Sequence, residues 1–235
     1  MELESVLVTG ANRGIGLEFV KQLVKLQKPP RFIFSTFRNE NTVQALEKIK
    51  EESKETEIVL IKMDVRDAED IERAGNLIEE KVGDNGLNLL INNAGVLIYQ
   101  SFDEITEEDM LFHYRINTVA PVMILKRMLP LLQKASSRKT GGMSVSRAAV
   151  LNISALLGSI TELTEDYPKR FLSAMSYRAS SPEHGHEGGC PHSEGSGDPY
   201  SEHVSWLGEN RHGNGRGHPR ASRECLSYDE YSIAA

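Results

Sequence analysis

A chain of 235 residues with a formal net charge of −7 is long enough for one α/β domain with a well-buried core. The acidic balance argues against a nucleic-acid surface, and no apolar run is long enough to span a bilayer or serve as a signal peptide. Two cysteines, Cys190 and Cys225, make no disulfide framework, so a cytoplasmic protein with no membrane contact is expected.

The first predicted element is a strand over Ser5–Thr9, an apolar run that leads into the turn Thr9 to Gly16, T-G-A-N-R-G-I-G. A strand that ends in closely spaced glycines and opens into a helix brings backbone N–H groups up to a dinucleotide pyrophosphate. Gly10 suits the tight turn, Gly14 suits close approach to phosphate, and Gly16 suits packing of helix on strand. The helix over Gly16–Gln27 then turns its positive end toward the phosphate oxygens. The spacing is G-x-x-x-G-x-G, not the more familiar G-x-G-x-x-G.

Further along, strands are predicted at Phe32–Thr36, Glu57–Met63, Leu87–Ile91 and Ala148–Ile153, with helices at Thr42–Ser53, Asp67–Val82 and Glu107–Leu132. Asp67 and Thr106 read as N-caps, the latter followed by Glu107 and Glu108 at the positive helix end. Pro121 should kink the long fourth helix or split it. Residues Ser136 to Ser146 read as an exposed loop. Strands separated by helices pair in parallel through right-handed crossovers, which gives an α/β, Rossmann-type doubly wound parallel sheet with its ligand at the carboxyl strand ends.

Motifs stand at the ends of successive strands. Asp64-Val65 closes the third, Asn92-Asn93-Ala94-Gly95 the fourth, and Asn152-Ile153-Ser154 the fifth. Asn117 lies inside the long helix, and Tyr177 follows in Ser176-Tyr177-Arg178-Ala179-Ser180. Singly each has an ordinary reading: Asp64 as a helix cap, Asn117 as a polar residue bonded inside its helix, Ser154 as a turn serine, Arg38 as a solvated charge. Tyr99 and His113 read as packing or surface residues. Order and spacing together resemble the short-chain dehydrogenase/reductase family over about residues 3 to 180, and within it the C-factor-like and sniffer-type carbonyl reductases.

The resemblance implies an NADPH-dependent reductase of a small carbonyl compound. It assigns catalysis to Asn117, Ser154 and Tyr177, and cofactor binding to Gly10, Asn12, Arg13, Gly14, Ile15, Gly16, Arg38, Asp64, Val65, Asn93, Ala94 and Gly95, with no metal. Ser154 would bond the substrate carbonyl and Tyr177 would give up the proton. Asn117 would hold a water that links the family's lysine to solvent, and Asp64 would contact the adenine. Charge speaks to cofactor choice as well. An acidic residue after the second strand binds the ribose of NAD, whereas Ser35-Thr36-Phe37-Arg38 has no carboxylate before Glu40. Arg13 and Arg38 suit a 2′-phosphate, so NADP(H) is expected. Intact family members often pair as homodimers through the fourth helix and the helix after the tyrosine.

The pattern then breaks. A tyrosine with a pKa of about 10 is a poor proton donor and acceptor at neutral pH, and the family remedies this with a lysine four residues on. Here that position is Ser181. From Ser181 onward stand six of the seven histidines, both cysteines and no lysine, a change of composition with no regular apolar period. The family's following helix, sixth strand, Pro-Gly motif and seventh strand are expected to be missing.

A reading-frame shift accounts for this. Read from the second base of each codon, Ser181 through Glu187 permits Ala-Leu-Asn-Met-Ala-Thr-Lys, and Ser205 through His212 permits Pro-Gly-Trp-Val-Lys-Thr-Asp-Met, both family-like. The domain is therefore expected over residues 1–180, with residues 181–235 a disordered, non-native tail. A zinc site at His184, His186, Cys190 and His192 matches no familiar spacing. The alternative to a reductase is a non-catalytic protein that binds NADP(H) or a partner.

Overall fold

The computed structural model describes residues 3–98, 100, 103–140, 144–154 and 202–206. Six strands form one sheet in the order β3-β2-β1-β4-β5-β6. The strands β1 (Ser5–Val8), β2 (Phe32–Phe37), β3 (Glu57–Lys62), β4 (Leu89–Asn92) and β5 (Ala149–Ile153) all run parallel. Their connections are α1 (Gly14–Leu23), α2 (Gln44–Glu52), α3 (Ala68–Val82), and the pair α4 (Glu107–Tyr114) and α5 (Ala120–Arg138).

Alternation along the strands explains the layers, because successive side chains leave opposite faces of a sheet. Leu7, Phe34, Leu90 and Val150 pack with Ile71, Ile78, Ile124 and Met128 of α3 and α5. Val6, Val8, Ile33, Ile58, Ile91 and Leu151 pack with Phe19 and Val20 of α1 and Leu46 of α2. Strand order reverses between β1 and β4, and at such a switch point a crevice opens beyond the carboxyl ends of the strands.

The predicted strands and helices are all present with shifted ends, and α5 continues past Leu132 to Arg138, so Ser136–Arg138, expected as the start of a loop, are helical. Asp67 caps α3 by accepting from Glu69 N at 2.8 Å, and Thr106 caps α4 by accepting from Asp109 N at 3.1 Å. The predicted long helix is divided: one π-turn, Arg115–Val119, separates α4 from α5, and Pro121 stands in the first turn of α5. The backbone runs on through the π-turn, where Ala120 N–H donates to Arg115 O, and Pro121 follows it with no N–H to place.

One expectation needs correcting. The segment after Pro182, from which no strand is expected, contributes β6 (Glu202–Trp206), antiparallel to β5 with Ala149 opposite Trp206 and Ile153 opposite Glu202. The free edge of β5 offers a row of N–H and C=O groups, and these accept an extended segment whatever its side-chain period. The rest of the tail, including His184, His186, Cys190 and His192, lies outside the described residues, as does Tyr177.

Candidate cofactor cleft and active site

Three threonine and asparagine side chains build the glycine turn. The Thr9 hydroxyl donates to Ile91 O (3.3 Å) and accepts from Asn93 N and Ala94 N (3.0 Å each), joining β1 to the turn after β4. The Asn93 amide donates to Thr9 O (2.9 Å) and Gly10 O (3.2 Å). From β2, Thr36 Oγ1 accepts from Gly10 N at 3.1 Å and its carbonyl accepts from Ala11 N at 2.8 Å.

The glycines serve different needs. Gly10 and Gly14 sit at φ +64° and +56°, the left-handed region that favours glycine. A Cβ on Gly16 would stand 2.5 Å from both Asn93 Nδ2 and Gly10 O, so α1 can begin this close to β1 and β4 only without a side chain. At Gly14 nothing lies within 4 Å of where a Cβ would be. Arg13 precedes α1 in extended conformation and gives it no side-chain cap. The first-turn N–H groups thus face the cleft as an anion site without a side-chain acceptor. Ile15, 40% exposed, forms an apolar rim beside them.

Charge is arranged unevenly beyond β2. Arg13 and Arg38 are exposed and make no hydrogen bond or ion pair among the described residues. Glu40, the first carboxylate after β2, is taken by Lys62 of β3 at 2.7 Å, which holds its carboxyl below the usual range. Asp64 is gripped by Arg66, whose Nε and Nη2 donate at 3.0 and 2.5 Å. That guanidinium, and more weakly the charge of Arg38, holds the Asp64 carboxyl low. Arg66 in turn lies over the Phe112 ring at 5.6 Å. Val65 is partly buried against the core.

The loop after β4 is fastened twice to the helices above it. Asn117, inside the π-turn, accepts from Val96 N and donates to Val96 O, both at 2.9 Å, and Gly95 passes close to its amide oxygen. The side chain of Asn117 is therefore committed to the loop. His113, which the sequence reading leaves as ordinary packing, is wholly buried. Its Nδ1–H donates to Asp109 O (2.7 Å) and its Nε2 accepts from Ile98 N (3.0 Å). Nothing in the sequence flags His113, Thr9 or Thr36 beyond their places one turn after Asp109 and at two adjacent strand ends.

On the far side, Asn92 Nδ2 donates to Asn152 Oδ1 at 2.9 Å across the ends of β4 and β5. The half-buried Ser154 stands two residues beyond. The cleft thus brings together Gly10, Asn12, Arg13, Gly14, Ile15, Gly16, Arg38, Asp64, Asn93, Ala94, Gly95, Asn117 and Ser154 at one edge of the sheet. Among the described residues there is no cluster of three metal-ligating side chains and no helix long and apolar enough to cross a membrane.

A parallel sheet with a glycine turn at its switch point and an Asn-Asn-Ala-Gly turn beside it defines a dinucleotide-fold oxidoreductase class. The sequence profile described as short chain dehydrogenase matches residues 4–159, and the chain belongs to that family. It is similar to the NADPH-bound carbonyl reductase from chicken fatty liver, 38% identical over 77% of this chain and 68% of that one, TM-score 0.72. It is similar also to the carbonyl reductase Sniffer of Drosophila melanogaster, 34% identical over 76% and 71%, TM-score 0.71. Human short-chain dehydrogenase/reductase 3 is 29% identical over 178 residues, 75% of this chain and 54% of that protein. The chain spans about half the length of the curated relatives it matches.

Proposed function

We propose that residues 1–180 are the greater part of an NADPH-dependent reductase of small carbonyl compounds, and that the chain as it stands binds NADP(H) with little or no turnover. The observation that carries the cofactor reading is the pairing state of the charges beyond β2. Two guanidiniums, Arg13 and Arg38, make no side-chain hydrogen bond or ion pair among the described residues, while Glu40, the first carboxylate after β2, is paired with Lys62. That is an environment for a 2′-phosphate, not for a bare ribose hydroxyl. The cleft also suits the rest of a dinucleotide: Gly14 leaves open space at the start of α1, and α1 offers its N–H groups to the pyrophosphate.

When bound, NADPH supplies the hydride for carbonyl reduction. The chain's own residues would do the rest: Ser154 donates to the substrate oxygen, and Tyr177 delivers the proton to it. Ser181 stands where the family has a lysine, so the position that supplies the ammonium in the family carries no charge, and a tyrosine with an ordinary pKa of about 10 is a poor acid–base catalyst at neutral pH. The reading carries a cytoplasmic setting, no nucleic-acid or membrane partner, and pairing of two copies in an intact relative. Leu111 and Val122, exposed on α4 and α5, suit such pairing.

We read the change of composition at Ser181 as a frame shift. In support, the family profile matches residues 4–159 and stops before Ser181. Sequencing the transcript across codons 175 to 215 tests it. A second-base frame encoding Ala-Leu-Asn-Met-Ala-Thr-Lys and Pro-Gly-Trp-Val-Lys-Thr-Asp-Met supports the shift; any other sequence makes the tail genuine. For the activity, NADPH fluorescence titration of the full chain is expected to show binding, with no ketone-dependent oxidation of NADPH above buffer. Measurable turnover of a model ketone would falsify the proposed inactivity. Binding without turnover together with a genuine tail favours the second reading, a non-catalytic NADP(H)-binding protein.

A further inference from the structure

Residues 12 to 14 form the outer half of the glycine turn, and one side-chain hydrogen bond ties them to another element. Asn12 Nδ2 donates to Thr42 Oγ1 at 2.8 Å. The Thr42 hydroxyl is used twice, because it also donates to Asn39 O at 2.7 Å. Asn39 in turn holds its own short turn, Glu40–Thr42, by accepting from Asn41 N at 3.0 Å. Asn12 adjoins Arg13 and Asn39 adjoins Arg38. The chain of bonds Asn12–Thr42–Asn39 therefore runs between the backbones that carry the two unpaired guanidiniums.

We propose that Thr42 is a specificity-positioning residue: its hydroxyl fixes the separation of Arg13 and Arg38, and so favours a ligand that bridges them, a ribose carrying a 2′-phosphate. Two long cationic side chains on independent loops repel one another, and drawing them onto one phosphate costs order. A fixed spacing removes much of that cost before the ligand arrives. A ligand without the phosphate gains nothing from the spacing, so the effect of Thr42 is confined to the phosphorylated dinucleotide. The hydroxyl must both accept and donate, which serine reproduces and the isosteric valine does not.

This rests on the NADP(H) reading above. The test is titration of the full chain and its Thr42→Val and Thr42→Ser variants with NADPH and with NADH, with thermal unfolding recorded for each. Thr42→Val removes both bonds of the hydroxyl and is expected to weaken NADPH binding by about three- to ten-fold. NADH binding should change by less than about two-fold, and Thr42→Ser should recover most of the loss. An equal loss for both nucleotides, or none for either, overturns the inference while leaving the cofactor reading intact. A parent chain that binds neither nucleotide, or binds NADH as tightly as NADPH, overturns the cofactor reading and this inference with it.

Discussion

The two sides of the cleft are held in different ways. On the side of β1, β2 and the turn after β4, several side chains bond more than once: Thr9 makes three hydrogen bonds, Asn93 two through its amide, Asn117 two to Val96, and His113 uses both ring nitrogens. On the side of β5, a single amide contact joins Asn92 to Asn152, and Asn92 Oδ1 is buried with no partner among the described residues. A buried carbonyl oxygen left unsatisfied costs of the order of 1–3 kcal/mol. The nucleotide side is thus organised by local strand-end chemistry that survives the break at Ser181. The substrate side depends on residues past Ser154, where the tyrosine lies and the chain loses its family pattern.

The largest expected break of the first side is at Gly16. A methyl group there meets Asn93 Nδ2 and Gly10 O at 2.5 Å, so Gly16→Ala must push α1 off the strands. Overpacking of this kind costs about 1–3 kcal/mol, and NADPH affinity should fall at least ten-fold in a fluorescence titration. Gly14→Ala sharpens the point. It meets open space and suffers only the positive φ, a cost nearer 1 kcal/mol, and should reduce affinity by less than Gly16→Ala does.

Next in size is the fastening of the loop after β4. Asn117→Leu removes both bonds to Val96 and leaves its partly buried N–H and C=O without those partners, which should lower stability by about 2 kcal/mol in a urea melt. Asn152→Ala on the opposite side deletes one bond and should cost about half as much. Equal losses would mean that the two sides of the cleft are held equally firmly.

The β5 edge offers a third handle. A chain ending at residue 180 lacks β6 and leaves β5 unpaired along its outer edge. Unpaired edges invite association, so light scattering should show larger species than for the full chain at equal concentration.

The smallest expected effect concerns Asp64. Arg66 holds the folded carboxyl below its ordinary value. A depressed carboxylate contributes stability above its unfolded pKa of about 3.9, and that contribution is lost as pH falls through the folded value. Arg66→Ala should therefore melt slightly below the parent at pH 7, and the two melting curves should converge as pH drops below the aspartate range.

Much of this molecule is legible from its sequence for simple reasons. Short continuous apolar runs between helical stretches specify a parallel doubly wound sheet, and the glycines at 10, 14 and 16 mark a turn that tolerates few side chains. The lone carboxylate Glu40 and the arginines at 13 and 38 already tilt the charge of the cleft. Local chemistry is enough for such features, because each depends on neighbours within a few residues. Other features depend on residues brought together from far along the chain, and only the tertiary structure decides them. Glu40 is neutralised because β3 brings Lys62 alongside. Asn117 turns to Val96, 21 residues back, because a π-turn rotates it there. Thr42 meets Asn12 across 30 residues. The tail shows the same division most sharply. No side-chain period marks Glu202–Trp206 as a strand, and it pairs with β5 because an edge recruits backbone, which every sequence possesses.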